Sequence, residues 1–147
     1  MGLTDRQDDS GSLAGKPKAP ETLKVLLIED DDDYAALFSA HCTTEGLSVV
    51  RYRSPKEIQN AQDVRSFDAI VVDCCLDESS GVEVARNFNT FAGERPVFLT
   101  SGRWRNIDRK EAPACVRRFV PKSWGVSVLV GEIRRELARD QFQRDFG

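Results

Sequence analysis

From Leu23 onward, short apolar segments of the 147-residue chain alternate five times with longer segments of amphipathic, helix-like pattern. The apolar runs are at most five residues long, which suits buried strands and falls far short of the roughly 20 residues of a membrane span. The predicted strands have the sequences VLLI, LSVVRYR, FDAIVVD, RPVFLTSG and CVRRFVPK. Such alternation is typical of a parallel sheet with helices on both faces, so the sequence predicts an α/β fold.

The segments between and after the strands are predicted to form helices. Their sequences are DYAALFSAHCTTEG, SPKEIQNAQDV, GVEVARNFNTFAG, RNIDRKEAPA and SVLVGEIRRELARDQFQRDF, with Pro113 weakening the fourth. We expect Asp33 to cap the first helix and Ser54, followed by Pro55, to cap the second. Periodicity selects the side chains that face the sheet, namely Leu37, Phe38 and His41 in the first helix, Val82, Val84, Ala85 and Phe88 in the third, and Val128, Leu129, Ile133 and Leu137 in the last.

Composition excludes several classes of function. The net charge is -3 and no block of basic residues is present, so direct nucleic-acid binding is not expected. The N-terminus lacks the layout of a signal peptide, and four cysteines without a C-x-x-C pair indicate free thiols, so a cytoplasmic protein without membrane contact is expected. Residues 1–22 are rich in Gly, Ser, Pro and charge and are predicted to be a flexible tail, while residues 23–147 form one domain, with no output domain.

Polar residues follow four of the predicted strands. Glu29 and Asp30 follow the first strand, Asp73 ends the third, Thr100 ends the fourth and Lys122 follows the fifth. In an open parallel sheet, ligands bind beyond the carboxyl ends of the strands. Three carboxylates that converge there repel one another unless a cation neutralises them, and oxygen ligands without His or Cys side chains favour Mg²⁺. A carboxylate on Mg²⁺ beside a lysine is suited to phosphoryl transfer.

Together these residues resemble the receiver domains of bacterial two-component response regulators. The resemblance covers about Leu23 to Leu137 and depends on four motifs in the family's order, LLIEDD, IVVD with Gly81 eight residues later, FLTSG and FVPKSW. It implies a flavodoxin-like (βα)5 fold, a doubly wound parallel five-stranded sheet of order 2-1-3-4-5. It also implies a single-domain response regulator, which accepts a phosphoryl group from a sensor histidine kinase or phosphotransfer protein and signals by phosphorylation-dependent protein–protein interaction. Self-phosphorylation from small donors and self-hydrolysis are expected, although such a protein is not a conventional enzyme.

The resemblance assigns a role to each residue at the strand ends. Asp73 is the phosphoacceptor. Asp30 and Asp73 bind Mg²⁺ with the backbone carbonyl of Cys75, and Glu29 acts through a metal-bound water.

The same resemblance implies the residues that respond to the phosphoryl group. Thr100 hydrogen-bonds that group and Lys122 pairs with it. Phe119 resembles the aromatic switch position, and Trp104, beside the switching loop, is a candidate partner anchor. The end of the last helix is a candidate contact for a homodimer.

Two departures from the family pattern leave an alternative open. Many members have Lys-Pro after the fifth strand, often with a cis bond, whereas this chain has Lys122-Ser123; it also has Asp77 where proline is frequent. A cis Lys-Ser bond would cost about 2.5–4 kcal/mol, so either strain at this bond or a trans bond that moves Lys122 is expected. The alternative is therefore a degenerate receiver that acts as a phosphorylation-independent interaction module. A metal-dependent phosphatase is a further alternative, although Cys75 occupies the place of its second acid.

Overall fold

The computed structural model describes residues 22–59, 64–76, 81–91, 95–102 and 112–146. Of the predicted N-terminal tail, only Thr22 lies within the described residues. Within the described residues, no helix is both long enough and apolar enough to cross a membrane.

Five parallel strands form one sheet. They are β1 (Leu23–Ile28), β2 (Leu47–Tyr52), β3 (Ala69–Asp73), β4 (Val97–Ser101) and β5 (Val116–Pro121). Their spatial order is β2-β1-β3-β4-β5, which confirms the expected 2-1-3-4-5 topology and the flavodoxin-like fold class. After β2, the chain crosses back over β1 and adds the later strands on the other side of β1. The carboxyl ends of β1 and β3 therefore border the crevice where such folds bind ligands.

Two apolar layers cover the sheet, one on each face, because successive side chains of a strand point to opposite faces. Val25 and Leu27 of β1 face one layer, with the first and last helices, while Leu26 and Ile28 face the other. All four are fully buried, as expected for a parallel sheet with helices on both sides. The buried framework fixes the strand ends, and thereby the polar residues that follow them.

The described α-helices are α1 (Asp32–Thr44), α2 (Gly81–Phe91) and α3 (Val126–Phe146). Asp31 caps α1, since its side chain accepts the backbone N–H groups of Asp33 and Tyr34. The prediction that Asp33 forms the cap was wrong, because several consecutive acids qualify and the helix begins immediately after the strand end. Gly46, with φ of 80°, follows the helix in the left-handed region that favours glycine.

The side chains predicted to face the sheet need correction in α1 and α3. In α1 the buried side chains are Ala35, Phe38 and Cys42, whereas Leu37 is 62% exposed and His41 is only partly buried. The buried residues lie three and four positions apart, on a stripe that excludes Leu37.

In α3 the predicted Leu129, Ile133 and Leu137 are buried, but Val128 is 38% exposed and Val130 is buried in its place. In α2, Val84 and Ala85 are buried and Val82 is partly buried. The side chain of Phe88 lies outside the description.

The second predicted helix begins as a 3-10 helix, Pro55–Glu57, with Ser54 as its cap and Glu57 completing a capping box. The backbone is extended at Ile58, so the continuous α-helix predicted from Ser54 was wrong at this point. Residues 60–63 lie outside the described part, as do residues 105–111 of the predicted fourth helix. A second 3-10 helix, Lys122–Trp124, links β5 to α3.

Candidate functional site

Three carboxylates meet at the carboxyl ends of β1 and β3. Glu29 follows β1 and is fully buried, Asp30 is partly buried, and Asp73 ends β3 with 3% of its surface exposed. One carboxylate oxygen from each residue lies within 4.8 Å of those of the other two. Because β1 and β3 are parallel neighbours, their ends reach the same edge of the sheet and bring these acids together.

Backbone N–H groups and one lysine hold the two most buried acids. Asp73 Oδ1 accepts the N–H of Cys75 at 3.0 Å, and Glu29 Oε2 accepts the N–H of Asp31 at 3.1 Å. Lys122 Nζ lies 2.8 Å from Glu29 Oε1 and 3.3 Å from Asp73 Oδ2. The lysine is thus shared by two carboxylates that would otherwise repel each other.

Burial and the neighbouring charges shift the pKa values of Glu29 and Lys122. Burial raises the pKa of Glu29 to about 7; the hydrogen bond from Lys122 opposes this shift, and the negative charge of Asp73 adds to it. Burial by itself would lower the pKa of Lys122, but its contacts with Glu29 and Asp73 outweigh that effect and raise it. The lysine therefore remains an ammonium group, and the site retains an excess of negative charge.

Lys122 reaches the acids although the next residue is not proline. The Lys122–Ser123 peptide bond is trans, and the lysine begins a 3-10 helix directly after β5. The expectation that a trans bond moves Lys122 away was wrong, since its ammonium lies within 3.3 Å of Asp73.

Thr100 lies beside Asp73 in the paired strands β3 and β4. Its side chain is fully buried, yet Oγ1 has no hydrogen-bond partner among the described residues. Burying an unpaired hydroxyl is unfavourable unless a partner arrives, so this oxygen is suited to an incoming polar group.

The structure describes some of the remaining residues of the predicted site and not others. The N–H of Cys75 holds Asp73, and its exposed thiol lies 3.4 Å from Ser101 Oγ, while the role of its carbonyl as a metal ligand stays a prediction. Phe119 of β5 is partly buried against the layer around Leu99. Trp104 and Asp77 lie outside the described residues.

Sequence reasoning missed one residue of this region, Tyr34 in the first turn of α1. The Lys122 ammonium lies 4.6 Å from the centroid of its ring. One signal in the sequence points to Tyr34, because a residue in the first turn of the helix after an acidic strand end must lie near that end.

The residues of the site fit Mg²⁺. Glu29, Asp30 and Asp73 supply oxygen ligands, and Lys122 supplies one positive charge, which leaves these four groups with a net negative charge when all are ionised. A hard divalent cation that prefers oxygen ligands matches both the ligand type and the charge deficit.

Comparison with known proteins identifies the family. Residues 25–134 match the family model of the response regulator receiver domain, so the chain belongs to that family. It is similar to the cell cycle transcriptional regulator CtrA of Caulobacter vibrioides, with 29% identity over 80 residues, which are 54% of this chain and 35% of CtrA. It is 21% identical to the regulatory protein VanR of Enterococcus faecium over 120 residues, 79% of this chain and 50% of VanR. The chain therefore spans about a third to a half of these curated relatives.

The fold is also that of solved receiver domains. The signal receiver domain of an HD domain-containing protein from Pseudomonas fluorescens Pf-5 superposes with a TM-score of 0.74 at 12% identity, covering 91% of this chain and 100% of the other. This similarity establishes the shared fold. Membership of the family places the chain among the response regulators of two-component systems.

Proposed function

We propose that this chain is a single-domain response regulator. It accepts a phosphoryl group on Asp73, with Mg²⁺, from a sensor histidine kinase or a phosphotransfer protein. It then signals by binding a protein partner. The observation that supports this best is the position of Lys122, whose ammonium contacts Asp73 and Glu29. The Thr100 hydroxyl, which has no hydrogen-bond partner within the described ranges, lies on the strand next to Asp73.

Each side chain has a defined task in the transfer. A carboxylate oxygen of Asp73 attacks phosphorus, the phosphorus–nitrogen bond to the donor histidine breaks, and its electron pair stays on the imidazole. Lys122 stabilises the negative charge of the transferring oxygens, and Thr100 donates its hydroxyl hydrogen to one of them. Asp30 and Asp73 would hold Mg²⁺, with Glu29 acting through water, and the bound ion would supply positive charge that offsets the negative charge of the phosphoryl group. Attack by water on the acyl phosphate later restores Asp73.

Phosphorylation of Asp73 would change the surface of the protein through residues of β4 and β5. Thr100 is the residue that would meet the new phosphoryl group, and Phe119 lies on the neighbouring strand, opposite Leu99. Movement of Thr100 would permit Phe119 to pack more deeply, which shifts the population between two arrangements of this surface. Trp104 is our candidate anchor for the partner on that surface.

Two further parts of the proposal concern location and assembly. We place the protein in the cytoplasm, where its kinase would act, without direct contact to nucleic acid or membrane. A second copy is a candidate partner for the end of α3, where the tilted, adjacent rings of Phe142 and Phe146 are 61% and 76% exposed. Sedimentation equilibrium with and without phosphorylation tests this contact, and a monomer at all concentrations would contradict it.

The alternative, a receiver with an inert site, was motivated by Ser123 after Lys122 and by Asp77 in the loop after Asp73. The contact between Lys122 and Asp73 favours an active site, because the lysine reaches its place without proline after it. One result separates the active receiver from the inert one. Partner binding depends on Asp73 only if the receiver is active.

Intact-mass spectrometry after incubation with acetyl phosphate tests the proposal. We expect one added phosphoryl group that requires Mg²⁺, that is present in Asp68→Asn and that is absent in Asp73→Asn. Asp68 is the matched control, since it lies near the opposite edge of the sheet, where it accepts the N–H of Lys24. A folded wild-type protein without the added mass would refute phosphorylation and favour the inert receiver.

A further inference from the structure

Tyr34 lies between the core and the lysine of the site. Its ring packs against the apolar layer that contains Phe38 and Val71, and the Lys122 ammonium lies 4.6 Å from the ring centroid. The Lys122 side chain is only 19% exposed. The ammonium is therefore held from two sides, by the carboxylates of Glu29 and Asp73 and by the ring.

The position of Lys122 in the sheet explains why such support is needed. Lys122 follows β5, whereas Asp73 ends β3, and β4 lies between these two strands. The lysine must cross the end of β4 on a flexible four-carbon chain that has many rotamers. An aromatic face attracts an ammonium and does so more strongly where water is partly excluded. The ring of Tyr34 therefore favours the Lys122 rotamers that bring Nζ close to the acids.

We propose that Tyr34 is a positioning residue for phosphoryl transfer, whose ring holds the Lys122 ammonium where it meets the phosphoryl oxygens. This inference rests on the function proposed above. The attraction comes from the ring face, so phenylalanine can replace tyrosine, whereas leucine fills space without attracting the ammonium. Simple core packing makes the opposite prediction, because leucine would then serve as well as phenylalanine.

The charge state of Tyr34 is consistent with this role. Burial raises the pKa of Tyr34 to about 12; the positive charge of Lys122 opposes this shift, and the negative charges of Glu29 and Asp73 add to it. The phenol is thus neutral at physiological pH. It presents a ring face to the ammonium without adding a further negative charge to the site.

The first experiment tests the geometry without any phosphoryl chemistry. In a ¹H–¹³C spectrum of protein labelled at lysine, the methylene hydrogens next to Nζ of Lys122 should be shifted upfield by the ring, and Lys122→Met identifies the signal. We expect the shift to persist in Tyr34→Phe and to vanish in Tyr34→Leu. Tyr52→Leu is the matched control, since Tyr52 is also a partly buried tyrosine but packs against the opposite layer.

The second experiment separates positioning from folding and from metal binding. With acetyl phosphate, Tyr34→Leu should be phosphorylated about three- to tenfold more slowly than wild type, as expected for the loss of one cation–π contact. Tyr34→Phe should restore the rate to within about twofold. The affinity for Mg²⁺ alone, measured by titration, should change less than the rate, because the ring acts on the Lys122 ammonium, whereas the acids supply the oxygen ligands for the ion.

The outcomes are distinct. An unshifted Lys122 signal in wild type would overturn the inference, and so would a Tyr34→Leu protein that is phosphorylated as fast as wild type. An equal loss of rate in Tyr34→Leu and Tyr52→Leu would assign the effect to packing and would also overturn it. If wild type accepts no phosphoryl group, the proposed function and the catalytic role of the ring fail together, while the spectrum separately decides whether the ring holds Lys122.

Discussion

A buried glutamate on α3 provides the sharpest test of how the last helix is attached to the sheet. Glu136 is fully buried, although it lies in the apolar stripe of α3 beside Ile133 and Leu137. Its carboxylate lies 3.1 Å from Arg117 Nη1 and 2.9 Å from Arg118 Nη2, both on β5. The register between β4 and β5 shifts between Val97 and Phe98, so Arg117 has no counterpart in the ladder.

The cost of neutralising Glu136 follows from these contacts. Glu136→Gln keeps the volume but replaces one acceptor oxygen with an N–H donor group that faces a guanidinium. A hydrogen bond to a charged group contributes about 1.5–3 kcal/mol, and removing one partner of a fully buried pair costs about 3–5 kcal/mol. Arg117 and Arg118 are 29% and 41% exposed and can regain water, so we expect the lower part of these ranges, about 2–3 kcal/mol.

Urea unfolding followed by circular dichroism at neutral pH measures this free energy. Glu132→Gln is the matched control, because Glu132 lies one turn earlier on α3, is 21% exposed and approaches Arg118 only to 3.9 Å. It should cost less than about 1 kcal/mol, as expected for an exposed ion pair. If Glu136→Gln lowered the free energy of unfolding no more than Glu132→Gln does, the buried ion pairs would not stabilise the fold as argued.

Three further predictions concern the site and its surroundings. In EDTA, the free energy of unfolding should fall as pH rises from about 4.5 to about 7. In this range Glu29 keeps its proton in the folded protein but has lost it in the unfolded chain, and Glu29→Gln should remove this part of the pH dependence. Ellman's reagent should react first with Cys75, which is exposed. Burial raises the pKa of Cys42 and of Cys74 to about 12, so these two thiols should react only on unfolding; equal reaction rates for all four cysteines would contradict this prediction. Gly102 lies two residues beyond Thr100, and a Cβ there meets no atom of the described residues within 4 Å. Gly102→Ile should therefore fold, and its side chain should lengthen the lifetime of the acyl phosphate by hindering the approach of water. An unchanged lifetime would show that water does not reach the acyl phosphate past this residue.

The fold could be predicted because its signals are local and repeated. Buried strands of a parallel sheet are continuous apolar runs, and the segments between them carry a helical period, so the sequence predicts the alternation without tertiary information. The polar residues at the strand ends were identifiable for the same reason, since their place in the chain is defined by the end of an apolar run. Their roles came from the resemblance to receiver domains.

The errors lie where several residues satisfy one local rule. Asp31, Asp32 and Asp33 are all suitable helix caps, and only the exit of the chain from β1 selects Asp31. Leu37 is as apolar as Phe38, yet the contact of α1 with the sheet buries Phe38 and leaves Leu37 exposed. Serine after Lys122 suggested a displaced lysine, but the Lys122 ammonium lies 3.3 Å from Asp73.

The sequence by itself determined the alternation of strands and helices and the chemical groups that end each strand, because both depend on neighbouring residues in the chain. The tertiary structure alone decided which groups meet. Lys122 lies 49 positions from Asp73 and 88 positions from Tyr34 in the sequence, and it reaches both because the strand order brings the ends of β1, β3 and β5 to one edge of the sheet. Distances across a sheet depend on the order of its strands, and no local pattern of residues encodes such a distance.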